Sequence, residues 1–210
     1  MCGIETEKFC NFFSVRKIFT VAFFHHRTKF FPEIFKKKGI EVLLLSDRVD
    51  EWLLSTFNEF EGKKLQSIAK GDLDLGKLED EKEKEEKKKI EKDAKSLVEK
   101  IKKALGDKVK EVKVTHRLTD SPACLVAGEH DLSGNLERIL KAAGQKTPDT
   151  KPILEINPTH KLIQKLETTG DSARFNDFAE VIFDQALISE GGQLKDPVAF
   201  VKKINQFLVE

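Results

Sequence analysis

The sequence predicts an α+β chain: the end of an α/β unit, then a mixed domain of helices and short strands that closes in a helical bundle. Three observations predict it. A continuous apolar run, Ile40–Leu45, stands between helix-like segments, as a strand covered on both faces should. Two short apolar or alternating runs, around Val112 and Cys124, are separated by turn residues. Finally, the chain ends in two helical patterns whose apolar faces are broader than a single contact needs.

Composition narrows the function. With 210 residues the chain can bury one ordinary core or two small ones. Lys and Arg number 37 against 36 Asp and Glu, so the basic excess that phosphate binding requires is missing and no nucleic-acid partner is expected. Cys2, Cys10 and Cys124 are odd in number and lack C-x-x-C spacing, which argues against a disulfide framework or a zinc site and for a reducing, cytoplasmic setting. No run approaches the roughly 20 apolar residues of a membrane span. "IFTVAFF" after Arg16 and Lys17 imitates a signal peptide, but Glu5 and Glu7 lie before it and "HHRTKFF" comes next, where small residues belong.

Residues 1–31 do not match the rest of the chain. Nine of the sixteen phenylalanines fall in the first 35 residues, and the segment lacks periodicity. From Pro32, "EIFKKKGIEVLLLSDRVDEWLLSTFNEFEGKKLQSIA" reads as a helix end, a glycine break, strand Ile40–Leu45, helix Arg48–Glu59, a turn and a second strand. "GDLDLGKL", Gly71–Leu78, satisfies G-x-x-x-x-G-K but has Leu78 where magnesium needs Ser or Thr, and Asp72 and Asp74 would repel phosphate. It is read as linker.

The charge run from Glu79 opens one amphipathic helix. Asp80–Lys84, Glu83–Lys87 and Glu85–Lys89 are acid-first pairs at helical spacing; Ile90, Ala94, Leu97, Val98, Ile101, Ala104 and Leu105 form the stripe, and Gly106 stops it. "VKEVKVTHRL" is then a half-buried strand and "ACLVA" its partner, joined by the turn "TDSP". His116, Asp120 and Cys124 are the residue types of a cysteine hydrolase, at intervals of four. No glycine beside Cys124 and no helix starting there supplies an oxyanion hole, and a cysteine in an apolar run is usually a small core residue. Metal binding by His25, His26, His116 or His130 has less support still.

Four helices should come after these strands. Leu132, Leu136, Ile139, Leu140 and Ala143 make one stripe, capped by Asp131 or Ser133 and ended by Gly144. Asn157 and Pro158 read as cap and first residue of the next. Phe175, Phe178, Ala179, Ile182, Phe183, Ala186 and Leu187 give the third its broad face. Asp196 and Pro197 open the last, with Val198, Phe200, Val201, Ile204, Phe207 and Leu208 apolar. Two such helices suggest packing between chains into a four-helix bundle, with burial inside one domain as the alternative.

"GIEVLLLSDRVDEW", "FNEFEGKKLQSI", "THRLTDSPA", "AAGQK", "EINPTHKLI" and "DQALISEGG" together resemble the bacterial HtpG branch of the heat-shock protein 90 chaperones, in order and from about Pro32 to Glu210. The resemblance implies that residues 32–75 are the end of the family's middle domain, 76–85 a charged linker and 86–210 the C-terminal dimerisation domain. It implies a homodimer, with Phe178, Ile182, Ala186, Val201, Ile204 and Leu208 as dimer contacts, and unfolded client proteins as partners of Leu132, Leu136, Ile139 and Leu140. The family's ATP-binding domain and the middle-domain arginine that assists hydrolysis have no counterpart here, so no residue inherits an ATP, magnesium or catalytic role. The chain ends "FLVE", without the Met-Glu-Glu-Val-Asp signal of eukaryotic relatives. Residues 1–31 are read as an out-of-frame or rearranged gene start, which the upstream DNA would decide. The competing readings are a cysteine hydrolase built on Cys124, His116 and Asp120, and a non-functional fragment of a disrupted chaperone gene.

Overall fold

The computed structural model describes residues 18–23, 33–38, 42–45, 59–60, 63–67, 81–128, 131–132, 134–148 and 150–209. Its first part is a four-stranded sheet of order β2-β1-β4-β3, made by β1 (Ile18–Phe23), β2 (Val42–Leu45), β3 (Glu59–Phe60) and β4 (Lys63–Ser67). β1 runs parallel to both neighbours, with Thr20 opposite Val42 on one side and Gln66 on the other. No strand was expected before Pro32. "IFTVAF" is rich in β-branched and aromatic residues, and a short apolar run suits an interior parallel strand as well as it suits a signal peptide. The expected strands appear as Val42–Leu45 and Lys63–Ser67. Of the helix expected at Arg48–Glu59 only Glu59 is described, and it begins β3, which pairs antiparallel with β4. Gly71–Leu78 lies outside the described residues. Residues 81–85, a charged linker by the resemblance but a helix start by their charge pairing, belong to a helix.

The short helix α1 (Glu33–Lys37) comes after β1 and buries Phe35. Its first residue, Glu33, reaches the "LTDSP" turn. One carboxylate oxygen accepts the backbone N–H groups of Thr119 at 2.6 Å and Asp120 at 2.8 Å, and the other accepts the Ser121 hydroxyl at 2.5 Å. Charge-assisted bonds of this kind are stronger than neutral ones, so α1 is moored to the part of the chain that begins after residue 80.

That part opens with α2 (Glu81–Asp93) and α3 (Lys95–Leu105). The helical hydrogen bonds continue through Ala94, from Ala94 N–H to Ile90 and from Val98 N–H to Ala94, both at 2.9 Å, so the two behave as the one amphipathic helix that the periodicity predicts. Ala94, Leu97, Ile101 and Leu105 are its buried face, and Gly106 closes it at φ +52°. A three-stranded sheet comes next: β5 (Glu111–Val114), β6 (Ala123–Val126) and β7 (Ile153–Ile156), in the order β5-β7-β6. β5 and β6 were expected to pair with each other. Instead β7 lies between them, with Leu154 opposite Val112 in parallel and opposite Leu125 in antiparallel register.

Between β6 and β7 stands α4 (Gly134–Ala142); α5 (Lys161–Glu167), α6 (Ser172–Ser189) and α7 (Pro197–Leu208) complete the chain. α4 ends on Gly144 at φ +74°, with the Gln145 N–H bonded to the Leu140 carbonyl and the Gly144 N–H to that of Lys141, a left-handed glycine cap as expected. α5 starts later than expected. His160, not Asn157, caps it, its Nδ1 accepting the Leu162 N–H at 3.1 Å. Asn157 is buried instead in the loop, accepting from the Thr159 hydroxyl at 2.7 Å and donating toward the Ser121 carbonyl at 3.4 Å. α3 and α6 pack on each other and on the sheet, and Ile101, Val112, Leu154, Ile156, Ile163, Leu166, Phe178 and Ile182 form the centre of the core.

Candidate functional site

The exposed large apolar residues among the described ones, Ile188, Val198, Val201, Leu208 and Val209, lie on the last two helices and just beyond. Asp196 caps α7 by accepting the Ala199 N–H at 2.9 Å, and Pro197 takes the first position, where a missing N–H costs nothing. Helical spacing then divides α7 into two faces. Phe200, Lys203, Ile204 and Phe207 turn toward α6 and are half-buried. Phe207 lies 4.9 Å from the Phe178 ring, and the Arg174 guanidinium stands 5.8 Å over Phe207. Lys203 pairs with Asp177 at 2.8 Å and with Glu180. Burial opposes ionisation of Glu180, but Lys108 and Lys203 outweigh it and hold the carboxyl below its ordinary value.

The opposite face of α7 has no such cover. Val198 is 78% exposed, Val201 53% and Leu208 77%, and Val209 beyond the helix end 88%. With Pro197, Lys202, Asn205 and Gln206 they line a shallow groove along the helix. A contiguous apolar stripe open to water is the usual mark of an interaction surface. The six expected dimer contacts therefore separate. Val201 and Leu208 are exposed and Ile204 is half-buried, whereas Phe178, Ile182 and Ala186 are core residues of this same chain. The α6 face is broad because it packs on both the sheet and α7.

A second apolar surface lies on α4. Leu132, Leu136, Ile139 and Leu140 are all half-buried, and none belongs to the core cluster. Polar contacts hold the segment: Lys110 pairs with Asp131 at 2.8 Å, Glu137 with Lys141 at 2.5 Å, and Arg138 donates to the Gly191 carbonyl at the end of α6.

His116, Asp120 and Cys124 are not assembled for catalysis. Nε2 of His116 lies 3.3 Å from Glu91 on α2, and Asp120 is exposed at the turn moored by Glu33. Cys124 is buried in β6. Burial pushes its thiol well above the ordinary value, and the nearby negative charge of Glu155 adds to this. Such a thiol stays protonated and is a poor nucleophile. Beside it is a buried ion pair: Arg117 meets Glu155 through Nε at 2.7 Å and through a terminal nitrogen at 3.0 Å. Sequence reasoning reaches Arg117 only as part of a motif and misses Glu155, yet a lone carboxylate in the apolar run "PILEI" is a sequence signal for a buried partner. Among the described residues no group of three or more His, Cys, Asp or Glu is placed to hold a metal ion, and no helix is long and apolar enough to cross a membrane.

The family model for the Hsp90 protein matches residues 25–210. The chain belongs to the Hsp90 family. The match of this Hsp90-family chain starts ahead of the Pro32 boundary read from the motifs, and takes in the whole of α1 through α7. It is 61% identical over 178 residues to the chaperone protein HtpG of Nitrosomonas europaea and 62% identical over 178 residues to that of Chromobacterium violaceum. In both cases 85% of this chain is covered but only 28% of the relative. The HtpG of Aromatoleum aromaticum is 62% identical over 177 residues, again across 27% of its length. This Hsp90-family chain thus spans a little over a quarter of the curated relatives it matches.

Proposed function

We propose that this chain is the dimerisation and client-contact portion of an ATP-dependent folding chaperone of the HtpG type, acting in the cytoplasm as a homodimer. The exposed Val198–Val201–Leu208 face of α7 carries the reading. Burying each such side chain is worth about 1.5–3 kcal/mol, and a two-fold interface uses every one twice, so two copies of α7 and the α6 helices behind them make a self-complementary four-helix bundle. The half-buried stripe of α4 supports client contact, because an unfolded chain is recognised by the apolar surface it has not yet buried. This reading gives no residue of the chain a nucleotide, magnesium or catalytic role.

The test is suppression of aggregation of a chemically unfolded protein, monitored by light scattering without nucleotide. The chain should suppress it, and Leu136→Ser with Ile139→Ser should remove at least half of the effect while the melting temperature falls by less than about 5 °C, as for partly exposed positions. A loss of activity that comes only with a collapse in melting temperature would make the stripe core and sink the client assignment.

A further inference from the structure

Among the described elements none packs extensively on α4, so a few polar tethers decide where it sits. The most specific is Arg138. Its guanidinium donates to the Gly191 carbonyl and approaches that of Glu190 at 3.5 Å, while Nε bonds the Gly134 carbonyl of its own helix at 3.2 Å. Glu190 and Gly191 close α6, where the helix dipole places partial negative charge that a cation complements. The joint they form is stiff. Gly191 sits at φ +74°, the Gly192 N–H bonds the Leu187 carbonyl at 2.8 Å, and a Cβ on Gly192 would lie 2.9 Å from that same oxygen. α7 begins only a few residues later. Beside Arg138 is the Glu190 carboxyl, whose Oε1 is buried without a hydrogen-bond partner among the described residues.

We propose that Arg138 is a latch that docks α4 on the joint between α6 and α7, and that opening it turns the half-buried Leu132, Leu136, Ile139 and Leu140 stripe fully outward. The consequence for clients rests on the client-contact reading above. It also couples the two surfaces: whatever holds α4 undocked frees the joint that positions the dimer helix, and by linkage the effect is reciprocal.

Glu190 makes the latch sensitive to pH. Burial pushes its carboxyl up to about 8 from an ordinary 4.5, and the charges of Arg138 on α4 and Arg117 after β5 only partly oppose this. Its charge also acts on the Cys124 thiol of β6. We take α4 to cover this carboxyl when docked, so that undocking returns it to water and the docked state holds the proton more tightly. The latch is therefore firmest below the ordinary carboxyl value and loosens as pH rises through the interval up to about 8. Across that interval the docked-to-undocked ratio falls by up to about tenfold per pH unit.

Hydrogen exchange of the full 210-residue chain, read by mass spectrometry at pH 6 and pH 8 and corrected for intrinsic rate, tests this. Arg138→Ala should speed exchange of α4 amides at least tenfold at pH 6 and leave the central amides of α6 unchanged. Glu190→Gln, neutral and nearly isosteric, should keep the fold and abolish the pH dependence of α4 exchange. Unaltered α4 exchange in Arg138→Ala, acceleration shared equally by α6, or pH dependence surviving in Glu190→Gln would each overturn the latch. If α4 is freed but aggregation suppression does not change, the latch stands and the client assignment fails; the reverse pattern separates them the other way.

Discussion

α6 and α7 are neighbours with similar sequence character, both apolar over more than one face, yet one is the centre of the core and the other has no fully buried residue. In α6, Phe175, Phe178, Ala179, Val181, Ile182, Phe183 and Ala186 all go under, because the sheet and α3 cover one side and α7 another. Among the described elements only α6 packs extensively on α7, and Val198, Val201 and Leu208 face water. The width of an apolar face states how much cover a helix needs. It does not state whether the cover comes from the same chain.

The contrast can be broken from the α6 side. Ile182→Asp places a carboxylate where the native side chain is 2% exposed, within the apolar core. Such a charge costs more than the total stability of a small domain allows. The expected outcome is loss of the cooperative thermal transition and of most of the helical circular dichroism. A folded monomer would show that α6 is less enclosed than its burial indicates.

A smaller effect is expected at the polar end of the core. Arg117→Ala strands Glu155 in the interior, which should destabilise by about 3–5 kcal/mol, and replacing both by apolar residues of similar size should restore most of it. Chemical denaturation of the two variants measures this; equal losses in both would mean that the pair acts through shape and not charge.

Local features were legible in the sequence because their causes are local. The Asp196–Pro197 start of α7, the Gly144 end of α4 and the stripe of α2 and α3 depend on residues within a few positions of one another. Pairing order was not legible. β7 separates β5 from β6 because Leu154 fits against both Val112 and Leu125, a match over about 30 to 40 positions that no periodicity records. The Arg117–Glu155 pair and the Arg138 contact to Gly191 are likewise between distant positions. β1 was hidden for another reason: "IFTVAF" is too short for its period to separate a buried strand from a leader segment. Of the site, the α7 stripe could be read directly, while the α6 residues assigned with it differed only in what the fold had already placed over them.

Sedimentation equilibrium distinguishes the proposed dimer contact on the exposed face of α7 from any other surface. The unaltered chain should sediment as a dimer at micromolar concentration. Val201→Asp with Leu208→Asp, at positions 53% and 77% exposed in the single chain, should sediment as a monomer with unchanged helical circular dichroism. Each substitution removes about 1.5–3 kcal/mol of burial twice over, enough to weaken association by several orders of magnitude. A double variant that still sediments as a dimer would place the interface elsewhere and contradict the claim.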